Sequence, residues 1–408
     1  MNTPITADDA GIVIIGGGQA GGWAAKTLRD EGYTGPLAVV SDEEHDFYER
    51  PPLSKAVLLD QSDEPELSRL FCAETVDGLN INWHRPLRVE SILPNESRVL
   101  LNNGQRLPYR QLLIATGSRP RCPAGGWASH SQVMTLRSWN DALKLRTQLR
   151  QCRSLAIVGG GWIGLEIAAS ARKLGIEVTV FERQGALCMR SVGHDVSAAL
   201  MALHQQQGVE IHCDCGEIAL RDDGNKPNLQ SAITAPKTFD LVVVGIGVEL
   251  NVELARAAGL VVETGIVVDL QGRTSDPAIF AAGDVAAHPT LGVCLQSWAY
   301  AQNQAIVTAR AMLNAESAGY SDAAWLWSDQ YDCNIQILGI PALNSQQVIR
   351  RSETSSVFFS LNDAFQLVQM VAFNEPRAIK LGKRWLASGR VLDPAQLSDP
   401  DFSLMNLK

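Results

Sequence analysis

Two glycine clusters concentrate the chemical signal in the chain: Gly16-Gly-Gly18-Gln-Ala-Gly21 and Gly159-Gly-Gly161-Trp-Ile-Gly164. In a G-x-G-x-x-G turn the first glycine admits a tight reversal and the second leaves the backbone bare for a pyrophosphate. The third lets helix and strand touch. A helix beginning there turns unpaired amides and the positive end of its dipole toward the phosphates. Each cluster is followed by an acid just after the next apolar run: Asp42 in Ser41-Asp-Glu43, and Glu182 after Phe181. A carboxylate at such a strand end accepts hydrogen bonds from a ribose diol; at Glu182 it also repels a 2′-phosphate. Arg183 and Arg190 stand nearby, and either is able to meet a phosphate. A lone motif of this kind is a weak signal. Two complete copies predict two dinucleotide sites rather than ordinary glycine turns.

The elements that must position these groups are legible around them. Gly11-Ile-Val-Ile-Ile15 and Ser154-Leu-Ala-Ile-Val158 predict strands feeding the two turns. Helical stretches follow at Trp23 to Leu28 and Leu165 to Leu174, then second strands at Pro36 to Val40 and Glu177 to Phe181. Further apolar runs predict strands at Leu112-Leu-Ile-Ala-Thr116-Gly117, at Leu241-Val-Val-Val-Gly245-Ile-Gly247, and from Thr274 through Phe280 toward Asp284. Taken in order, a first dinucleotide domain is interrupted by a complete second one and then resumes. The expected fold class is α/β, with two Rossmann-like domains and a C-terminal α+β domain containing a strand from Gln366 to Phe373. The expected boundaries are 1–117 and 248–324 for the first domain, 118–247 for the second, and 325–408 for the third.

Bulk properties narrow the function class. A chain of 408 residues implies two or three domains, and 46% apolar with 19% charged residues suits a large buried interior. With 35 basic and 44 acidic residues the net charge is −9, which argues against nucleic acid as a partner because phosphate binding needs a basic footprint. No run is apolar and long enough to cross a bilayer. The N-terminal stretch carries acids rather than a basic leader, so a cytoplasmic location is expected. The eight cysteines lack metal-ligand spacing. Cys213-Asp-Cys215 is the only close pair, buried thiols are expected, and no metal site is predicted.

At this point the chain resembles the two-dinucleotide-binding flavoproteins, specifically the branch of ferredoxin, putidaredoxin and rubredoxin reductases that also contains apoptosis-inducing factor. The resemblance rests on Tyr48-Glu-Arg50-Pro-Pro-Leu-Ser-Lys55, Gly159 to Glu166, Gly245-Ile-Gly247, Phe280 to Asp284, and Trp327-Ser-Asp-Gln-Tyr331. The C-terminal stretch through Lys383-Arg-Trp385 further resembles the reductase components of 3-phenylpropionate (cinnamate) dioxygenase systems. That likeness implies FAD in the first domain, NAD(H) in the second, and a small acidic [2Fe–2S] ferredoxin as acceptor, feeding a ring-hydroxylating dioxygenase.

By the same resemblance, Lys55 reaches the flavin and pairs with Glu166, the two expected catalytic residues. Gly16, Gly18, Gly21, Asp42, Arg50, Lys55, Val89, Arg137, Asp284, Trp298 and Trp327 are expected to bind FAD. Asp284 falls at the ribityl chain, Val89 near the adenine by its main chain, and the two tryptophans near the isoalloxazine. Gly159, Gly161, Ile163, Gly164, Glu166, Glu182, Arg190 and Gly247 are expected at NAD, with Arg190 along the adenosine. Arg377, Lys380, Lys383 and Arg384 make a locally basic stretch, either a ferredoxin docking patch or a solvated face.

A disulfide reductase is the main competitor, but residues 42–60 contain no cysteine and Pro51-Pro-Leu-Ser-Lys55 stands where the redox pair would be. Electrons must therefore leave the flavin directly. Rubredoxin, a monooxygenase's ferredoxin or a small oxidant remain alternative acceptors, and a redox-responsive binding protein is the alternative from another class. In one departure from the pattern, Cys294-Leu-Gln296-Ser-Trp298 replaces Arg-x-Glu-Ser-Trp. No catalytic role passes to Gln296.

Overall fold

The β-branched runs beside the glycine clusters become the central strands of two parallel sheets. The computed structural model describes residues 10–222, 226–342 and 344–407; the acidic stretch at residues 1–9 lies outside them. The chain divides into two compact units, Met1–Glu49 with Leu67–Arg119 and Glu249–Asp322, and Arg50–Glu66 with Pro120–Val248 and Ala323–Lys408. The segment carrying Arg50 and Lys55 thus packs with the second glycine turn.

In the first unit the parallel strands lie in the order Asn82–His84, Leu37–Val40, Gly11–Ile15, Arg106–Ile114, with Ile279–Ala281 beyond. The first half of Arg106–Ile114 instead pairs antiparallel with Arg98–Leu101, which pairs in turn with Val89–Leu93. All five residues of Gly11–Ile15 are buried, as expected of a strand covered on both faces. Small residues on helices Gln19–Asp30 and Trp298–Leu313, among them Ala24, Ala25, Ala305 and Ala309, share one core with Ile12, Ile14 and Leu28.

The second unit repeats the winding. Its strands run Glu210–His212, Glu177–Phe181, Ser154–Val158, Leu241–Val244, Val133–Met134, all parallel. Both sheets therefore place the third, second, first and fourth strands of their motif side by side, and the glycine turn leaves the first strand where the order reverses. The same unit contains an antiparallel sheet in the order Trp325–Gln330, Cys333–Gly339, Leu367–Phe373, Ser356–Leu361, Gln346–Arg351. Helix Pro376–Ser388 lies against it at Gly382, where a Cβ would come 2.7 Å from Met370 Sδ.

The run from Thr274 to Phe280 departs from expectation, because only Ile279–Ala281 is strand. Pro277 has no amide to give a ladder, and Asp276 Oδ1 accepts from Ala278 N at 2.8 Å, closing a local turn instead. The cysteine expectation also needs correction: Cys72 and Cys122 are exposed, Cys72 just before the short surface helix Ala73–Gly78. Among the described residues no helix is long and apolar enough to cross a membrane, and no cluster of His, Cys, Asp and Glu could hold a metal.

Candidate functional site

The two glycine turns have matching geometry. Gly16 N–H donates to Val40 O at 2.9 Å and Gly159 N–H to Phe181 O at 2.8 Å. Their φ values of +123° and +110° lie where only glycine is comfortable. A Cβ on Gly21 would sit 2.0 Å from Gly16 O, and one on Gly164 2.4 Å from Gly159 O. The middle position differs, since a Cβ on Gly161 would meet nothing closer than Gly245 O at 4.0 Å. Bare backbone with open space on one side fits a pyrophosphate. The helices starting at Gln19 and Trp162 carry no side-chain cap at Gly18 or Gly161 and no acid in their first turns. Their leading amides are thus free of side-chain competition for an anion.

The strand-end acids sit beside these turns. Glu182 Oε2 accepts from Gly160 N at 2.6 Å and Oε1 from Gln184 N at 2.7 Å, which fixes the carboxylate. Asp42 is freer: its Oδ2 lies 3.2 Å from Arg88 Nη2 in an exposed pair.

Within the first unit, Asp284 Oδ2 accepts from Ser118 Oγ at 2.7 Å. The neighbouring Gly283 N–H donates to Gln304 Oε1 at 2.8 Å, holding that turn in place. Trp298 opens its helix behind the cap Ser297, whose Oγ accepts from Tyr300 N. With the Gln19 amide oriented to satisfy its neighbours, its carbonyl accepts from Trp298 Nε1 at 3.0 Å and Trp23 Nε1 at 3.2 Å. A residue inside the first glycine turn thereby anchors the expected ring-binding tryptophan. Val89 starts Val89–Leu93 opposite Leu101.

Within the second unit, Lys55 Nζ lies 2.9 Å from Glu166 Oε2. Glu166, on helix Trp162–Lys173, is only 3% exposed. The 3-10 turn Pro51–Ser54 delivers Lys55, whose ammonium also donates to Pro51 O at 3.1 Å. Ser54 Oγ donates to Glu166 Oε2 and Ser328 Oγ to Oε1 at 2.6 Å. Ser170 Oγ holds Ser54 through its carbonyl at 2.8 Å. A carboxylate so buried needs this full set of donors.

Elsewhere in that unit, Arg50 Nη1 donates to Arg137 O at 2.8 Å. The Trp327 ring stacks on Trp325 with centroids 5.3 Å apart. Ile163 is 48% exposed on the helix start, beside Gly164 of the second turn. Arg190 lies across Gly247, where a Cβ would come 3.1 Å from its guanidinium. Helix Pro376–Ser388 buries Ala378, Ile379, Gly382 and Trp385 while exposing Arg377, Lys380, Lys383 and Arg384, and Lys383 Nζ sits 4.9 Å from the Trp325 ring centroid.

The structure thus joins Lys55 with Glu166, Arg50 with Arg137, and Arg190 with Gly247. Asp284 and Trp298 have partners that sequence reasoning did not name, Ser118 and Gln19. The same is true of the serines on Glu166, although both lie inside the quoted motifs, Ser54 directly before Lys55 and Ser328 directly after Trp327. The thiols near the second turn are not nucleophiles: burial pushes Cys188 far up and Cys215 up to about 11, with Glu182 adding to both.

This pair of doubly wound folds with glycine turns defines a nucleotide-dependent oxidoreductase, and residues 10–305 match the pyridine nucleotide-disulphide oxidoreductase family. The chain belongs to that family, whose members use FAD and NAD(H). Residues 325–408 match the reductase C-terminal family. The chain is 39% identical to the anthranilate 1,2-dioxygenase system ferredoxin–NAD(+) reductase component of Burkholderia cepacia, over 96% of this chain and 98% of that protein. Among solved structures it resembles the ferredoxin reductase for the CYP199A2 system from Rhodopseudomonas palustris, with a TM-score of 0.90, 34% identity, and 97% and 99% of the two chains covered. The covalent putidaredoxin reductase–putidaredoxin complex gives a TM-score of 0.90 at 31% identity, covering 98% of each chain.

Proposed function

We propose that the chain is a cytoplasmic FAD-containing ferredoxin–NAD(+) reductase, passing electrons from NADH to a [2Fe–2S] ferredoxin that serves an aromatic ring-hydroxylating dioxygenase. The observation that carries this reading is the repeated cradle, two glycine turns of one geometry, in a chain whose residues 42–60 hold no cysteine to relay electrons. The full-length likeness to a dioxygenase-system reductase component supports the choice of acceptor. FAD, when bound, takes electrons from nicotinamide as a pair and releases them singly, as an iron–sulfur acceptor requires.

The chain's own residues bind and orient. The amides after Gly16 and Gly18, with Gly21 allowing close packing, hold one pyrophosphate; those after Gly161, with Gly164 allowing the same, hold the other, while the Gly160 amide stays on Glu182. Asp42, Arg50, Arg137, Val89 and Asp284 are assigned to FAD, with Trp298 and Trp327 toward its ring. Ile163, Arg190 and Gly247 are assigned to NAD. Glu182 receives the adenosine ribose and disfavours a 2′-phosphate. Glu166 fixes the Lys55 ammonium so that one positive charge is presented from a defined point during reduction by NADH. The exposed basic face of helix Pro376–Ser388 is the proposed docking patch for an acidic ferredoxin.

The test is NADH-driven turnover of the purified chain with a [2Fe–2S] ferredoxin and with rubredoxin. Rapid multiple turnover with the ferredoxin is expected. Preference for rubredoxin would reassign the acceptor, and a stable reduced state with negligible turnover on either would favour a redox-responsive binding protein.

A further inference from the structure

Glu166 is held from a direction that the assigned chemistry does not use. Ser328 Oγ lies 2.6 Å from Glu166 Oε1, and Gln330 Nε2 lies 3.0 Å from Ser328 Oγ. His204 Nε2 lies 2.8 Å from Gln330 Oε1, and Tyr331 Oη lies 3.0 Å from His204 Nδ1. Ser328, Gln330 and His204 are wholly buried. The links run from helix Trp162–Lys173 to strand Trp325–Gln330 and on to helix His194–Gln206.

The direction of every bond follows by elimination. A carboxylate paired with an ammonium only accepts, so Ser328 uses its single proton on Glu166. Whatever faces Ser328 Oγ must then donate, which assigns that side of Gln330 to its NH₂ and turns its carbonyl toward His204. A carbonyl only accepts, so His204 carries its proton on Nε2. The bare Nδ1 accepts from Tyr331, consistent with a neutral ring, whose pKa burial pushes below the ordinary value. Four donors therefore point one way, toward the carboxylate, and each polarises the next. The carboxamide in the middle holds its protons, so this is a positioning chain and not a proton wire. Tyr331 adopts φ +56°, rare for a bulky residue, and its carbonyl is clamped by Lys173 Nζ at 2.7 Å. That constraint keeps the phenol on His204.

We infer that His204 is a positioning residue: through Gln330 and Ser328 it fixes the Glu166 carboxylate, and so the point at which Lys55 is held. The inference rests on the role proposed above for the Lys55–Glu166 pair. The test uses the FAD-loaded full chain and a cycle of His204→Leu, Glu166→Gln and the double variant, with His204→Gln as the variant that retains a donor near Nε2. Flavin content, NADH affinity and the limiting rate of flavin reduction are measured, together with ¹⁵N NMR of His204 in the unaltered protein. The expected tautomer is Nε2–H. His204→Leu should lower the limiting rate about three- to tenfold with flavin content unchanged, His204→Gln should recover most of it, and His204→Leu should add nothing once Glu166 is Gln. Should His204→Leu not fold, Ser328→Ala takes its place in the cycle. Equal slowing in both backgrounds, no slowing where Glu166→Gln does slow, or an Nδ1–H tautomer overturns the inference. An unchanged rate in Glu166→Gln instead overturns the role of the ion pair itself, and this inference with it.

Discussion

Glu182 Oε2 lies 2.6 Å from the backbone nitrogen of Gly160, tying the acid at one strand end to the glycine turn that leaves the strand beside it. Its other oxygen accepts from Gln184 N at 2.7 Å, so the carboxylate is oriented before any nucleotide arrives. The residue proposed to discriminate between nucleotides is thereby tied to the turn proposed to hold their phosphates.

Glu182→Gln removes the charge and leaves one acceptor oxygen for two backbone donors. A hydrogen bond to a charged group contributes about 1.5–3 kcal/mol, so NADH affinity should fall by roughly tenfold or more while the penalty against NADPH shrinks. The ratio of kcat/KM for the two nucleotides checks this. An unchanged ratio would remove Glu182 from nucleotide choice.

The third and second glycines of the turn proposed for NAD should fail differently. Gly164→Ala puts a methyl 2.4 Å from Gly159 O and 3.0 Å from Ile157 Cγ2, so it should destabilise the fold, by about 1–3 kcal/mol as overpacking does. Gly161→Ala has open space around it and should melt like the unaltered protein, yet bind NADH poorly because the methyl stands where phosphate approaches. Thermal melts paired with NADH titration separate the two; undiminished NADH binding by Gly161→Ala would show that the open space is not a ligand site.

The basic face of helix Pro376–Ser388 gives a salt-dependent test. Lys380→Glu with Arg384→Glu reverses two exposed charges and leaves the buried Ala378, Ile379 and Trp385 alone. Ferredoxin reduction should weaken at low ionic strength and converge with the unaltered protein as salt rises, because such steering is screened. Reduction of a small neutral dye should be untouched. A parallel loss on the dye, or no loss on ferredoxin, would reject the patch as a docking surface.

Stability should fall on the acid side of neutrality. His84, His204 and His288 all lie below their ordinary 6.5, in each case chiefly through burial. Below 6.5 the unfolded chain takes up protons at these rings before the folded chain does. Their contribution is therefore complete above 6.5 and is lost as pH drops through that value toward the folded pKa values. Urea midpoints should be nearly equal at about pH 8 and about pH 7, then decline toward about pH 5.5, ahead of the carboxylate range. A midpoint flat across that span would contradict the assignment.

Much of the fold was legible because its signals are local. Gly11–Ile15 and Glu177–Phe181 are β-branched runs bounded by glycine or charge, and both form strands over the expected residues. The second helix begins at Trp162, three residues before the first residue read as helical, because the glycine turn leads into it without a capping side chain to mark the boundary. Thr274 to Phe280 misled because only its end, Ala278-Ile-Phe280, is apolar; Asp276 and Pro277 before it set a turn instead. The site was less legible. Its phosphate cradles are written in glycine spacing, but Glu166 is held by Ser54 and Ser328, backed by Gln330 and His204, and of these only Ser328 and Gln330 are near in sequence, two apart on one strand. Nothing short of tertiary packing brings a buried histidine at 204 into line with a carboxylate at 166.

The most direct measurement is an anaerobic titration of the purified, flavin-loaded chain with NADH, followed through the flavin's visible absorbance and then by addition of oxidised [2Fe–2S] ferredoxin. About one equivalent of NADH per flavin should bleach the band, NADPH should bleach it far less readily, and ferredoxin should restore the oxidised spectrum. A protein that takes up no flavin, or a bound flavin that NADH leaves oxidised, would contradict the account at its root.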